Sequence, residues 1–287
     1  MNTMKQNTYS LRLVVLLGLC CALLITGCTP TTPQPTPDAT TSSDPNPSTT
    51  ATSPTATSIS TTPGDPTPST SVPGLEGDNN GPMICIDPGH PSEVNSGETV
   101  QNGTTEVQMC WDVGNRLERL IAQDSSLRNT KTRSAVKTLT TNRRRAEIAN
   151  EAGATLMVRL HCDTGAGSGF AVYYPDRQGT TQGMTGPSQD VITKSRAAAE
   201  AMVGGLAGAL QGKLNNNGIK GESVSYVGAK QGALTGSIFS KVPTITIEMV
   251  YLSNAADAAF IKSAEGQDLL ARGLYEGIKT YVKTAKP

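Results

Sequence analysis

The sequence predicts a single α/β domain over residues 82–287, a mostly parallel, twisted sheet flanked by helices. Three observations carry that prediction. Short β-branched runs alternate with segments whose apolar residues recur at helical spacing, which is the signature of successive strand–helix units. The stretch has the length of one domain and shows no internal repeat. Finally, the chain has only two histidines, and each closes a strand-like run. Open α/β sheets carry their ligand-binding groups just outside the carboxyl ends of strands.

The elements follow in order. Ile84-Cys85-Ile86-Asp87 reads as a strand that breaks at Pro88-Gly89 and projects His90 from its end. A loop rich in Gly, Ser and Asn fills 91–103, and Thr104-Thr105 then precede a helix with Glu106 in its first turn. Val107, Cys110, Val113, Leu117 and Ile121 give that helix its apolar stripe. A second helix from about 141 to 151, with Gly153 at its C-cap, leads into the strand Thr155–Leu160 that delivers His161. Residues 169–174 form a further strand, and 175–188 read as loop. A long helix spans about 189–214 and ends at Asn217-Gly218; its glycines at 204, 205, 208 and 212 either weaken it or allow close packing. Strands near 224–227 and at 244–249 and helices around 255–262 and 266–282 complete the domain.

Residues before 82 read differently. Lys5 and Arg12 precede an apolar stretch from Leu13 to Ile25, the size of a signal-peptide core. It closes with Leu24-Ile25-Thr26-Gly27-Cys28, which resembles a lipobox, so residues 1–28 are expected to be a lipoprotein signal with Cys28 as the lipid attachment site. From Thr29 to Gly74, 34 of 46 residues are Thr, Ser or Pro. Such a segment cannot bury enough apolar surface to offset its ordering entropy, so 29–81 is expected to be a disordered linker. The expected location is extracytoplasmic, with the domain tethered to the membrane through its lipid.

The 24 basic residues balance the 24 acidic ones, which argues against a nucleic-acid partner. Cys20 and Cys21 leave with the signal, and Cys85, Cys110 and Cys162 can form at most one disulfide. Cys162 beside His161 reads as structural, because adjacent strand residues face opposite ways.

A catalytic zinc commonly takes two histidines and one carboxylate and keeps a position for water. His90 and His161 exhaust the histidines, and Glu106, fixed at a helix start, is a better third ligand than Glu93 or Glu98 in the loop. Glu248 stands in the otherwise apolar run Thr244-Ile245-Thr246-Ile247-Glu248-Met249. A carboxylate there is costly unless paired or functional, and next to a metal it would serve as general base.

These residues resemble the zinc-dependent N-acetylmuramoyl-L-alanine amidases of the type-3 group, which cleave peptidoglycan. The resemblance covers 83–283 and rests on Ile86-Asp87-Pro88-Gly89-His90, Glu106, Thr132-Arg133, Arg145 with Ala149-Asn150, His161, and Glu248 with Leu252-Ser253-Asn254. It implies a zinc-amidase or zinc-exopeptidase-like fold, Zn2+ held by His90, Glu106 and His161, and Glu248 as the catalytic residue. The chain departs from the family pattern at Pro91, at Met249-Val250-Tyr251, in the glycine-dense helix, and at Arg159-Leu160-His161-Cys162-Asp163, where Ser-Ile-His-Ala-Asn/Asp is usual. Three other readings fit the same chain: a non-catalytic peptidoglycan-binding relative, a lipid-anchored structural or adhesive protein whose Thr/Pro stalk is the point, and a zinc peptidase acting on another amide. Zinc content separates the structural reading from the rest, and digestion of cell wall separates the others.

Overall fold

The structure, a computed structural model, describes residues 81–285. The expected signal, Cys28 and the linker through residue 80 lie outside the described residues. In chain order the elements are β1 (Met83–Pro88), β2 (Val100–Gln101), β3 (Thr104–Thr105), α1 (Glu106–Ala122), β4 (Arg128–Lys131), α2 (Asn142–Glu151) and β5 (Leu156–Asp163). Then come β6 (Phe170–Tyr174), β7 (Gly179–Thr181), β8 (Met184–Gly186), α3 (Gln189–Leu210), β9 (Asn216–Gly221), α4 (Tyr226–Gln231), α5 (Thr235–Ile238), β10 (Thr244–Tyr251), α6 (Ala255–Lys262) and α7 (Ala264–Thr284).

Six strands form the main sheet in the order β4-β1-β5-β10-β6-β9. The first four run parallel, β6 is antiparallel to β10, and β9 is parallel to β6. The α/β reading with a mostly parallel sheet therefore holds. Alternation along the strands sorts the residues onto two faces. Ile84, Ile86, Leu156, Val158, Leu160, Ile245 and Ile247 bury one face in the large core shared with α1, α3 and α7. On the other face Cys85 and Met157 pack with Ala149 and Ala154 in a small cluster. Toward the carboxyl ends of the strands that second face turns polar. The register row Cys85, Met157, Thr244 is followed by Asp87, Arg159, Thr246, and the next step pairs His161 with Glu248.

The glycines of α3 do both things the sequence allows. A Cβ at Gly205 would sit 2.4 Å from the Gly277 nitrogen of α7, so this position permits helix contact. Gly204 and Gly208 meet nothing within 4 Å and contribute only their low helix propensity.

Three expectations need correction, and one strand carries no sequence signal. The strand expected at 224–227 is absent: Val224 is 71% and Tyr226 79% exposed, and the strand is instead the polar edge strand β9 at 216–221. The long helix stops at Leu210 because Gln211 adopts the left-handed conformation (φ 46), leaving Asn217-Gly218 inside β9. Residues 175–188 carry the hairpin β7–β8 and not an unstructured loop. The edge strand β4 lacks the apolar alternation that would have announced it. Among the described residues, no helix is long and apolar enough to cross a membrane. Cys85, Cys110 and Cys162 are all buried and unpaired by disulfide.

Candidate metal centre

His90 leaves the end of β1 through Gly89, where the packing leaves no room for a side chain. A Cβ at Gly89 would lie 2.6 Å from the Leu160 carbonyl oxygen and 2.8 Å from Nδ1 of His161. Gly97, with φ +69, is needed for the same reason: a Cβ would fall 2.6 Å from Cβ of His90. The loop carrying His90 thus folds back on its imidazole, whose Nδ1 lies 3.0 Å from the Asn95 carbonyl oxygen. In the neutral ring with Nδ1 donating there, Nε2 is the lone-pair nitrogen open to a metal; in the protonated ring both nitrogens donate.

Glu106 is the first residue of α1, and the backbone N–H of Val107 donates to the Gly97 carbonyl, tying helix and loop together. Oε2 of Glu106 is 3.1 Å from Nε2 of His90 and Oε1 is 2.9 Å from Nδ1 of His161. The two imidazoles meet edge to face with centroids 5.1 Å apart. One ligand atom from each of His90, Glu106 and His161 lies within 4.8 Å of the others, so the three could hold a metal ion. Glu248 on β10 is the register partner of His161.

The electrostatics suit cation binding. Burial disfavours the Glu106 carboxylate, but hydrogen bonds from His161 and His90 outweigh it and hold its pKa below the usual carboxylate range. Burial pushes His161 down, toward the neutral imidazole that ligates metals. Burial opposes a charge on His90 as well, yet the hydrogen bond to Glu106 prevails and lifts it. Glu248 is pushed well above the ordinary carboxylate value, first by burial and then by the charges of Glu106 and Asp163. All three cysteine thiols are raised by burial, so none is poised as a nucleophile.

The structure brings together His90, Glu106, His161 and Glu248 and sends the alternative carboxylates elsewhere. Glu93 accepts the backbone N–H of Asn142 at the start of α2 (2.8 Å), and Glu98 pairs with Lys137 at 2.9 Å. Sequence reasoning named Asp87, Arg133 and Arg145 without giving them a task. Asp87 is fully buried and accepts from Thr132 (2.6 Å), Arg145 (2.6 Å) and Arg159 (3.1 Å). Arg145 also donates to the carbonyls of Pro88 and Pro91, and Arg133 to those of Pro88 and Gly89. Together they clamp the backbone on both sides of His90. The signal was present: an aspartate in an otherwise apolar strand needs buried cations.

Fold and site define a two-histidine, one-carboxylate centre at the carboxyl ends of parallel strands, with a further glutamate in register beside it. The model of the N-acetylmuramoyl-L-alanine amidase family matches residues 84–280, and the chain belongs to that family. Among curated proteins it is 25% identical over 201 residues to the N-acetylmuramoyl-L-alanine amidase Rv3717 of Mycobacterium tuberculosis, covering 66% of this chain and 73% of that one. It is likewise 25% identical over 214 residues to the N-acetylmuramoyl-L-alanine amidase CwlM of the same organism, covering 70% of this chain but only 45% of that longer protein. The fold is similar to that of the amidase Ami1 from Mycobacterium smegmatis, with TM-score 0.60 and 21% identity over 71% of this chain and 98% of that one. It is also similar to the catalytic domain of CwlV from Bacillus (Paenibacillus) polymyxa var. colistinus, with TM-score 0.57 and 23% identity over 70% and 98% of the two chains.

Proposed function

We propose that the protein is a zinc-dependent peptidoglycan amidase that hydrolyses the amide between the lactyl group of N-acetylmuramic acid and L-alanine of the stem peptide. Family membership supports the reaction, and the convergence of His90, Glu106 and His161 beside Glu248 is the observation that carries the mechanism. The donor set favours zinc. Two imidazole nitrogens and a carboxylate oxygen within 4.8 Å of one another fit an ion with bonds of about 2.0–2.2 Å. When bound, zinc supplies Lewis acidity toward the substrate carbonyl and the attacking water.

The protein's own residues do the rest. Glu248 takes the proton of the attacking water and returns it to the departing alanine nitrogen. Burial and neighbouring carboxylates favour its protonated form, which suits holding the proton after the first step, while the first step itself uses the ionised carboxylate. Asp87, Arg145 and Arg133 hold the His90 loop still while this happens. In this reading Cys28 is lipidated, the Thr/Ser/Pro-rich segment is a tether, and the enzyme works outside the cytoplasm. Its partners are peptidoglycan and, through the lipid, the membrane, with no role for nucleic acid. Digestion of purified cell wall followed by mass spectrometry of the products tests the reaction: free stem peptides beginning with L-alanine support it, and an intact muramoyl-alanine bond rejects it.

A further inference from the structure

Among the described residues, four buried side-chain atoms have no hydrogen-bond partner in the protein: Nη1 of Arg159, Oγ1 of Thr244, Oγ1 of Thr246 and Oε2 of Glu248. They are not scattered. Thr244, Thr246 and Glu248 alternate along one face of β10. Arg159 on β5 is the register partner of Thr246, one step below the His161–Glu248 pair. Native proteins satisfy the great majority of buried polar atoms, so four orphans in one patch beside the site call for a common explanation.

The chemistry of the row has a direction. Arg159 can only donate, the threonine hydroxyls can donate and accept, and an ionised Glu248 can only accept. The rest of the Arg159 guanidinium is committed, with Nε donating to Asp87 (3.1 Å) and Nη2 to Asn142 (3.2 Å). Glu222, the buried carboxylate of the segment covering this face, is engaged by the Leu234 backbone and the Ser237 hydroxyl. Gly236 lies against the guanidinium, and a Cβ there would come within 3.2 Å of Nη1, so glycine keeps that edge open. Thr244 at the bottom, Thr246 level with Arg159, and Glu248 at the top set hydroxyls, a donor and an acceptor along one row, which a short file of buried water completes, each molecule bonding about three polar groups.

We propose that Arg159 is a positioning residue for Glu248: with Thr246, and Thr244 beneath it, it holds buried water whose last member bonds Oε2 of Glu248 and leaves Oε1 turned toward the metal centre. The inference rests on the reading of Glu248 as general base. It concerns this chain in particular, because Arg159 stands where the family pattern has serine.

Thr246→Val keeps the side-chain shape and removes only the hydroxyl. Measured on a soluble muropeptide with the full zinc-loaded protein, it should lower kcat about tenfold, the effect of losing one hydrogen bond to a charged group. KM and bound zinc should not change. Arg159→Lys, which restores one donor, should retain more kcat than Arg159→Met, and Thr246→Val added to Arg159→Met should cost little more, because the file is already broken. Should Arg159→Met fail to fold, Thr246→Val decides alone. Wild-type kcat in Thr246→Val would overturn the proposal, as would a crystal structure in which Oε2 of Glu248 bonds directly to a protein donor. An inactive Glu248→Gln beside a fully active Thr246→Val rejects this inference and spares the role of Glu248. An active Glu248→Gln rejects both.

Discussion

Oε1 of Glu106 lies 2.9 Å from Nδ1 of His161 and also accepts the backbone N–H of Cys162 at 3.1 Å. The carboxylate at the start of α1 is thereby fixed against the strand that carries the second histidine. A carboxylate held in this way is pre-organised by rigid elements on both sides.

Glu106→Gln should therefore weaken zinc binding by about 10-fold or more while the fold survives, since removing a ligand costs at least as much as removing a supporting partner. Glu93→Gln and Glu98→Gln should bind zinc as the wild type does. Competition with a chromophoric chelator measures all three, and the reverse pattern would reassign the ligand.

Gly89→Ala is expected to damage the centre without touching any ligand. The added Cβ meets backbone on one side and the His161 imidazole on the other, so either the strand end or the ring must move. Zinc stoichiometry should fall and the melting temperature should drop. Unchanged zinc content would show that the loop leaving β1 is looser than its contacts indicate.

Asp87→Asn should destabilise the fold by about 3–5 kcal/mol, because it leaves Arg145 and Arg159 buried without their shared counter-charge. Burial opposes the Asp87 charge, but Arg145 and Arg159 win and hold its pKa near 2, below the ordinary 3.8. Stability from this group is thus fully present above about pH 4 and is lost as the pH falls toward 2. Urea unfolding of wild type and variant across that window should show the two curves converging at the acid end.

Glu222 has the opposite sign. Burial raises its pKa from 4.5 to about 7, despite hydrogen bonds from Ser237 and Leu234. Its contribution is complete below about pH 4.5 and is lost as the pH rises through 7. Glu222→Gln cannot ionise, so its stability should gain on that of the wild type between those values. Unfolding with chelator present, so that metal linkage does not intrude, measures the difference. Parallel curves would mean that Glu222 ionises normally.

How much of this was legible in the sequence depended on pattern. The two histidines, Glu106 and Glu248 could be read because each is a polar residue at the end of an apolar run or the start of a periodic helix. The central strands β1, β5 and β10 could be read because burial on both faces demands apolar residues. The edge strands could not: β4 is Arg-Asn-Thr-Lys, and β9 contains Asn216, Asn217 and Gly218. A strand paired on one side only needs no apolar code, whereas the β-branched Val224 and Val227 imitated a strand while standing exposed. The buried ion cluster of Asp87, Arg145 and Arg159 joins residues up to 72 positions apart, and no local pattern pairs them.

Glu248→Gln tests the central claim most directly. The amide keeps the shape of the side chain but cannot accept a proton, so release of stem peptides with L-alanine amino termini from purified peptidoglycan should fall about 10²–10⁴-fold with zinc content and folding unchanged. Full activity in this variant would contradict the mechanism, and loss of its zinc would make Glu248 a ligand instead of the base.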